Sequence, residues 1–300
     1  MVVSQLLRPQ THLSYRGRFA PSPSGLLHFG SLIAALASYL DAKHNNGQWL
    51  VRIEDIDPPR EKAGASSEIL KTLESYGLHW DDNVLYQSEQ TQLYQGVLAE
   101  LAQHKLSYHC ACTRAQIKAA GGIYQGHCRA LQLSKHNCAT RVINTAGTSE
   151  YHDLIQGQVS CNQQLAQEDF IVRRKDNLFA YQLAVVVDDI YQGISHVIRG
   201  CDLLEPTARQ LSFYQILGNS APKFGHFPLA VTEQGYKLSK QNNAPSIDRN
   251  APIPSLIAAL TFLGQKPPNE LKDANLDELL AWAIHHWSLA KVPKSQEIVL

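Results

Sequence analysis

Apolar positions along the chain change their period repeatedly, and each change marks an element. Tyr15 to Ala20 reads as a short strand, Pro21, Pro23 and Gly25 break it, and Leu32, Ile33, Leu36 and Leu40 then recur at helical spacing over 28–43. After Gly47 comes a second apolar strand, Trp49-Leu50-Val51-Arg52-Ile53, so this stretch predicts a β-α-β unit. Pro58-Pro59 ends the strand, and 61–76 reads as a helix closed by Gly77. A helix over 91–103 follows. Further on, Asp169 to Arg173 and Phe179 to Val187 read as strands and Val197-Ile198 as a short third. Pro206 opens a helix running to about Leu217, and two amphipathic helices, roughly 252–264 and 276–287, finish the chain. Alternating strand and helix predict an α/β fold with a doubly wound parallel sheet. No internal repeat interrupts it.

The alternation fails in one place, and there the composition changes too. From Leu101 to Ser149 there is no acidic residue, while Lys105, Arg114, Lys118, Arg129, Lys135 and Arg141 are basic. The whole chain has 27 basic and 27 acidic residues, which excludes a nucleic-acid track coating its surface and leaves this segment as the candidate phosphate-backbone contact. The predicted organisation is therefore an arm (1–14), a first half of the core (15–100), a basic insert (101–150), a second half of the core (151–245) and C-terminal helices (246–300). At 300 residues the chain can bury a sizeable core. Met1 to Gln10 lacks the apolar stretch of a signal peptide and Leu183 to Val187 is far too short for a membrane span, so a cytoplasmic protein is expected. Four of the six cysteines fall in the insert, and Cys110, Cys112 and Cys128 have a C-x-C-x15-C spacing that suits a tetrahedral zinc site. Tyr124 and His127 are both available as a fourth ligand, histidine being the choice from residue chemistry alone.

The turn between the first strand and helix looks built for phosphate. His28 and Gly30 fall at the helix N-terminus, where free N–H groups and the helix dipole favour an anion. Lys237-Leu238-Ser239-Lys240, on a loop after Gly235, supplies two lysines three apart that can reach one polyphosphate. Together, Phe19-Ala20-Pro21-Ser22-Pro23-Ser24-Gly25 with His28-Phe29-Gly30, and Lys237-Leu238-Ser239-Lys240-Gln241, resemble the two signature motifs of class I aminoacyl-tRNA synthetases. Ser31 stands where the first motif has its second histidine, and Gln241 ends the second motif. Val51-Arg52-Ile53-Glu54-Asp55-Ile56-Asp57 and Val197-Ile198-Arg199-Gly200-Cys201-Asp202-Leu203 are similar to internal blocks of the glutamyl-type catalytic core, over roughly residues 15–245.

The resemblance implies a Rossmann-like sheet with an inserted zinc-bearing subdomain, and it implies roles. Glutamate brings two carboxylates and an ammonium, so its site needs cations and an acid; Arg18 and Arg199 supply the first and Glu54 the second. In the resembled family the positions of Arg18, Phe19, Ala20, Pro21, Ser22, Glu54, Tyr181 and Arg199 surround glutamate. Those of His28, Gly30, Lys237 and Lys240 serve ATP, with His28 and Lys240 stabilising charge during the reaction together with Mg²⁺. The stretch Gly-Gly-Ile-Tyr-x-Gly-His-Cys is similar to small paralogues in which a tyrosine joins three cysteines on structural Zn²⁺, which selects Cys110, Cys112, Tyr124 and Cys128. Only Gln241 to Leu300 follows the second motif, too little for a second RNA-binding domain. The implied activity is that of a monomeric ligase that activates glutamate with ATP without needing RNA. It then transfers the glutamyl group to queuosine in the anticodon loop of tRNA(Asp), where bases are splayed and readable. The alternatives are a truncated glutamyl-tRNA synthetase charging a 3′ end and a non-catalytic RNA-binding relative.

Overall fold

The computed structural model describes Leu7 and residues 14–232 and 246–300. Strand β1 (Arg16–Phe19), helix α1 (Phe29–His44) and strand β2 (Gln48–Ile53) form the expected β-α-β unit, with β1 and β2 parallel. Helix α2 (Ala65–Ser75) leads to β3 (Leu85–Tyr86), which pairs parallel with β2. Helix α2 begins at Ala65 rather than at residue 61, because Pro58–Arg60 forms a separate single turn and Gly64 holds the N-cap in a left-handed conformation. It closes where expected: Gly77 has φ 67° and the N–H of Leu78 donates back to the carbonyl of Leu73 at 2.9 Å.

Helix α3 (Thr91–Gln103) precedes the basic segment, which contains β4 (Ser107–Cys110), α4 (Arg114–Ala119) and β5 (Ala139–Val142). A hairpin of β6 (Glu150–Asp153) and β7 (Gly157–Ser160), then α5 (Gln163–Gln167) and β8 (Ile171–Arg173), follow. Strands β4, β5 and β8 make one antiparallel sheet, so a strand from beyond Glu150 completes the sheet that the basic segment begins.

Phe179 to Val187, read above as a strand, is instead the start of helix α6 (Tyr181–Tyr191). An apolar run interrupted only by Gln182 fits a buried helix as well as a strand, and here Leu183 through Ile190 are all buried. Then come β9 (His196–Gly200), α7 (Pro206–Ile216), β10 (Lys223–Phe227), β11 (Leu229–Val231), α8 (Pro252–Phe262), α9 (Leu276–His286) and β12 (Glu297–Val299). Strand β10 pairs parallel with β9, and β9 lies beside β1, where the N–H of Ser195 donates to the carbonyl of Arg16 at 3.0 Å. The parallel pairing of β12 with β11 was not expected; its three residues are too short to carry a period.

Side-chain alternation along the strands separates two cores. Trp49, Val51 and Ile53 of β2 and Ile198 of β9 face a cluster with α1, α2, α8 and α9, whereas Leu50 and Val197 face one with α3, α6 and α7. The sheet is thus covered on both faces, which is the doubly wound arrangement expected. The C-terminal helices are fastened to α1 by a buried polar contact as well: Trp287 Nε1 donates to Asp41 Oδ1 at 2.9 Å, and the Tyr15 hydroxyl bonds the same carboxylate.

Candidate active site

A cavity of about 590 Å³ opens where β1, β2 and β9 end against the N-terminus of α1. Arg18, Phe19, Ala20, Pro21 and Ser22 line it from β1 and the turn that follows, and His28 and Gly30 from the start of α1. Glu54 reaches it from the end of β2, Tyr181 from the first residue of α6 and Arg199 from β9. Every expected glutamate-side residue is therefore in one place, and so are two of the four on the ATP side. Lys237 and Lys240 lie outside the described residues. Arg60 and Asp202 also line the cavity and were not foreseen; Asp202 had a signal, being three residues after Arg199 in the same block.

Local bonding explains the convergence. The N–H of Glu54 donates to the carbonyl of Pro21 at 3.0 Å, tying the end of β2 to the turn after β1. His28 is the N-cap of α1: its Nδ1 accepts from the N–H of Ser31 at 3.3 Å, which in the neutral ring puts the proton on Nε2. The first turn of α1 carries no acidic residue, so its dipole is left free for an anion. Of the three acids after β2, only Glu54 lines the cavity. Asp55 accepts from Ser88 at 2.7 and 2.8 Å, and Asp57 pairs with Arg174 at 3.2 Å.

The two expected cations differ sharply. Arg18 is already paired: its Nε and Nη2 donate to the carboxylate of Asp189 at 3.2 and 3.4 Å. Asp189 also binds Arg52 at 2.8 Å, and Arg52, wholly buried, lies 3.8 Å from both Asp188 and Glu54. Arg52, Asp188 and Asp189 were not picked out as site residues; a pair of acids within a buried apolar run was the available signal. Arg199 is equally buried but is held by neutral acceptors, with His226 Nε2 at 3.0 Å and Thr207 Oγ1 and Gln210 Oε1 each at 2.7 Å. Its Nη1 has no hydrogen-bond partner and it makes no ion pair among the described residues. Burial pushes the Glu54 carboxyl up to about 7, although Arg52 and Arg18 pull it back. The cavity wall therefore holds one buried guanidinium with no ion pair among the described residues, Arg199, and one buried carboxyl group poised near neutrality, Glu54, beside a helix N-terminus.

Away from this cavity, the Cys110, Cys112 and Cys128 sulfurs all lie within 4.8 Å of one another, with Cys112 and Cys128 at 3.5 Å. Tetrahedral zinc–thiolate bonds would place sulfurs roughly 3.8 Å apart, so the cluster fits the ion. Tyr124 is buried beside the cysteines and close enough to hydrogen-bond Cys110, whereas His127 is exposed. Arg141 stacks over the Tyr124 ring at 3.8 Å, and Arg129 pairs with Asp169 at 2.7 Å. Two of the six basic residues of this segment are thus used internally; Lys105, Arg114, Lys118 and Lys135 remain exposed. Among the described residues no helix is long and apolar enough to cross a membrane.

Comparison with known proteins places the chain in a family. Residues 14–269 match the family of class I tRNA synthetases (E and Q), catalytic domain. A Colwellia psychrerythraea protein named glutamyl-Q tRNA(Asp) synthetase is 60% identical over 307 residues, covering 99% of this chain and 98% of the relative. An Escherichia coli K12 protein of the same name is 52% identical over 290 residues, covering 97% and 94%. Among solved structures, a glutamate tRNA ligase from Elizabethkingia meningosepticum in complex with its amino acid superposes with a TM-score of 0.78 at 26% identity. That match covers 94% of this chain and 66% of the ligase.

Proposed function

The chain belongs to the class I tRNA synthetases of the E and Q type and, within them, to the glutamyl-Q tRNA(Asp) synthetases, and from that membership we propose that it activates glutamate with ATP and passes the glutamyl group to queuosine in the anticodon of tRNA(Asp). The observation that carries this reading is the charge pattern of the cavity. An uncompensated buried guanidinium, Arg199, and a carboxyl group, Glu54, share its wall with the N-terminus of α1.

In this reading Arg199 takes a glutamate carboxylate and Glu54 the ammonium, with Tyr181 and the Arg18–Ser22 segment closing around the substrate. ATP lies along His28 and Gly30, and Lys237 and Lys240 reach its phosphates. A glutamate carboxylate oxygen attacks the α-phosphorus, the bond to the β-phosphate oxygen breaks, and pyrophosphate leaves. A hydroxyl of the queuosine ring then attacks the acyl carbon of the glutamyl-adenylate; its proton passes to solvent and AMP departs. No protein nucleophile is needed, and the enzyme contributes orientation and charge stabilisation. Mg²⁺ bound with ATP would supply counter-charge to its phosphates. Cys110, Cys112, Cys128 and Tyr124 hold a structural Zn²⁺, and the exposed lysines and arginines of the 101–150 insert meet the RNA backbone. The enzyme acts as a cytoplasmic monomer built from the five segments given above.

The test has two parts. Purified protein should catalyse glutamate-dependent exchange of pyrophosphate into ATP without RNA, and labelled glutamate should transfer to tRNA(Asp) carrying queuosine but not to the same tRNA lacking it. Label found instead at the 3′ end, as an alkali-sensitive terminal ester, would replace this reading with that of a truncated charging enzyme. Absence of exchange would leave only RNA binding.

A further inference from the structure

Behind Arg199 lies a buried chain of polar groups that the activity described so far does not use. Arg199 on β9 is the register partner of His226 on β10, and His226 in turn meets Asp153 at the end of β6. The side chains of Asp153 and His226 are both 0% exposed, and Asp153 Oδ2 lies 2.6 Å from His226 Nδ1. Oδ1 of the same carboxylate accepts from the backbone N–H groups of Ile155, Gln156 and His226, at 3.0, 2.9 and 3.1 Å. With both its oxygens accepting, Asp153 is a fixed carboxylate and the proton of the pair sits on His226 Nδ1. Nε2 is then a lone pair, and it receives the N–H of Arg199 Nε at 3.0 Å. The Thr207 oxygen lies 2.6 Å from the carbonyl of Leu203, to which its hydroxyl donates, and 3.1 Å from His226 Nε2, and it accepts from Arg199 Nη2 at 2.7 Å. Gln210 Oε1 takes the other Nη2 hydrogen. Three of the five guanidinium hydrogens are spent on neutral acceptors, and the two on Nη1 are not.

We propose that Asp153 and His226 are positioning residues for the amino acid substrate: Asp153 locks the His226 tautomer, and His226 then holds Arg199 at the cavity wall with no carboxylate paired to it, so that its charge is left for the substrate carboxylate. The inference rests on the assignment of Arg199 to glutamate made above. A carboxylate in place of His226 would hold Arg199 as firmly but would neutralise it, as Asp189 does for Arg18. A neutral acceptor oriented by a remote anion holds the guanidinium while leaving its charge for the ligand.

The decisive variant is Asp153→Asn. Its oxygen keeps the three backbone donors, so its NH₂ faces Nδ1, the histidine proton moves to Nε2, and two N–H groups oppose each other at Arg199. In pyrophosphate exchange the KM for glutamate should rise about tenfold to a hundredfold, the value of one charge-assisted hydrogen bond, while the KM for ATP stays unchanged. His226→Gln offers a fixed carbonyl at the Nε2 position with no tautomer to lock, so adding Asp153→Asn to it should raise the glutamate KM no further. An equal rise in both backgrounds, a joint rise for glutamate and ATP, or no rise at all would overturn the proposal while leaving wild-type glutamate exchange, and the function above, intact. Imidazole ¹⁵N NMR of the wild type reads the tautomer without any variant, and a proton on Nε2 of His226 would refute the lock. Wild-type protein that shows no glutamate exchange would remove the proposed function and this inference with it.

Discussion

Replacing Arg199 with methionine separates what the residue does for the fold from what it does for the substrate. Three bonds to neutral acceptors hold the guanidinium, and each contributes about 1.5–3 kcal/mol because its donor is charged. Against them stands the cost of burying a cation that no carboxylate neutralises, which is itself several kcal/mol. The two nearly cancel, and Arg199→Met should move folding stability by about 2 kcal/mol or less in either direction. Substrate binding has no such cancellation. Glutamate would enter with a buried carboxylate whose partner is gone, a loss of about 3–5 kcal/mol, or roughly a hundredfold to several thousandfold in KM. Arg18 cannot substitute, since Asp189 already occupies its Nε and Nη2. The assay is glutamate-dependent pyrophosphate exchange, with the KM for ATP and a thermal melt as controls. A glutamate KM within about threefold of wild type in a folded variant is below the value of one net hydrogen bond and would refute the assignment.

Two other outcomes follow from the same geometry. Glu54 has an ordinary value of 4.5 and sits at about 7 in the fold, so between these values the native protein holds a proton that the unfolded chain has released. This group's contribution to stability is thus present below 4.5 and lost as pH rises through 7, while its ability to bind an ammonium is gained over the same window. Glutamate kcat/KM should climb with pH up to about 7 and then level, Glu54→Gln should flatten the climb, and a flat wild-type profile in exchange assays would sink the pairing. At the cysteine cluster, Cys112→Ser should weaken zinc binding by more than about a hundredfold. Hydrogen exchange should then loosen β4 and β5 while ATP binding persists, and metal analysis finding no zinc in the wild-type protein would end that reading.

What the sequence disclosed and what it hid have separate physical causes. The β-α-β unit and its phosphate turn were legible because local chemistry decides them: proline and glycine break the strand, a histidine caps the helix, and period 2 gives way to period 3.6. The Phe179–Val187 run failed for the opposite reason. A segment surrounded by core loses its amphipathic period, and only the fold determines that it is a helix presenting Asp188 and Asp189 to the sheet. Arg18 and Arg199 looked equivalent as residues. Their difference in net charge depends on partners 171 and 27 positions away along the chain, and no local pattern records such a pairing. Lys237 and Lys240 lie outside the described residues, so the resemblance alone speaks for them.

That difference bears on why the site should hold a dicarboxylic acid and still let one of its carboxylates react. Two free guanidinium groups would grip both carboxylates, and an oxygen locked in a strong ion pair is a poor nucleophile toward phosphorus. The structure instead balances Arg18 and Arg52 internally against Asp188 and Asp189, and leaves the buried Arg199 without an ion pair among the described residues. On the proposed reading, the side-chain carboxylate of glutamate takes Arg199 and the ammonium takes Glu54. The α-carboxylate is then oriented by its neighbours, free of an ion pair, and directed at the phosphates above the α1 N-terminus. The same arrangement selects against glutamine, whose amide would leave the buried cation unneutralised at a cost of several kcal/mol. Selectivity and reactivity then share one cause, which is that a buried guanidinium of the cavity wall, Arg199, is kept free of any carboxylate among the described residues.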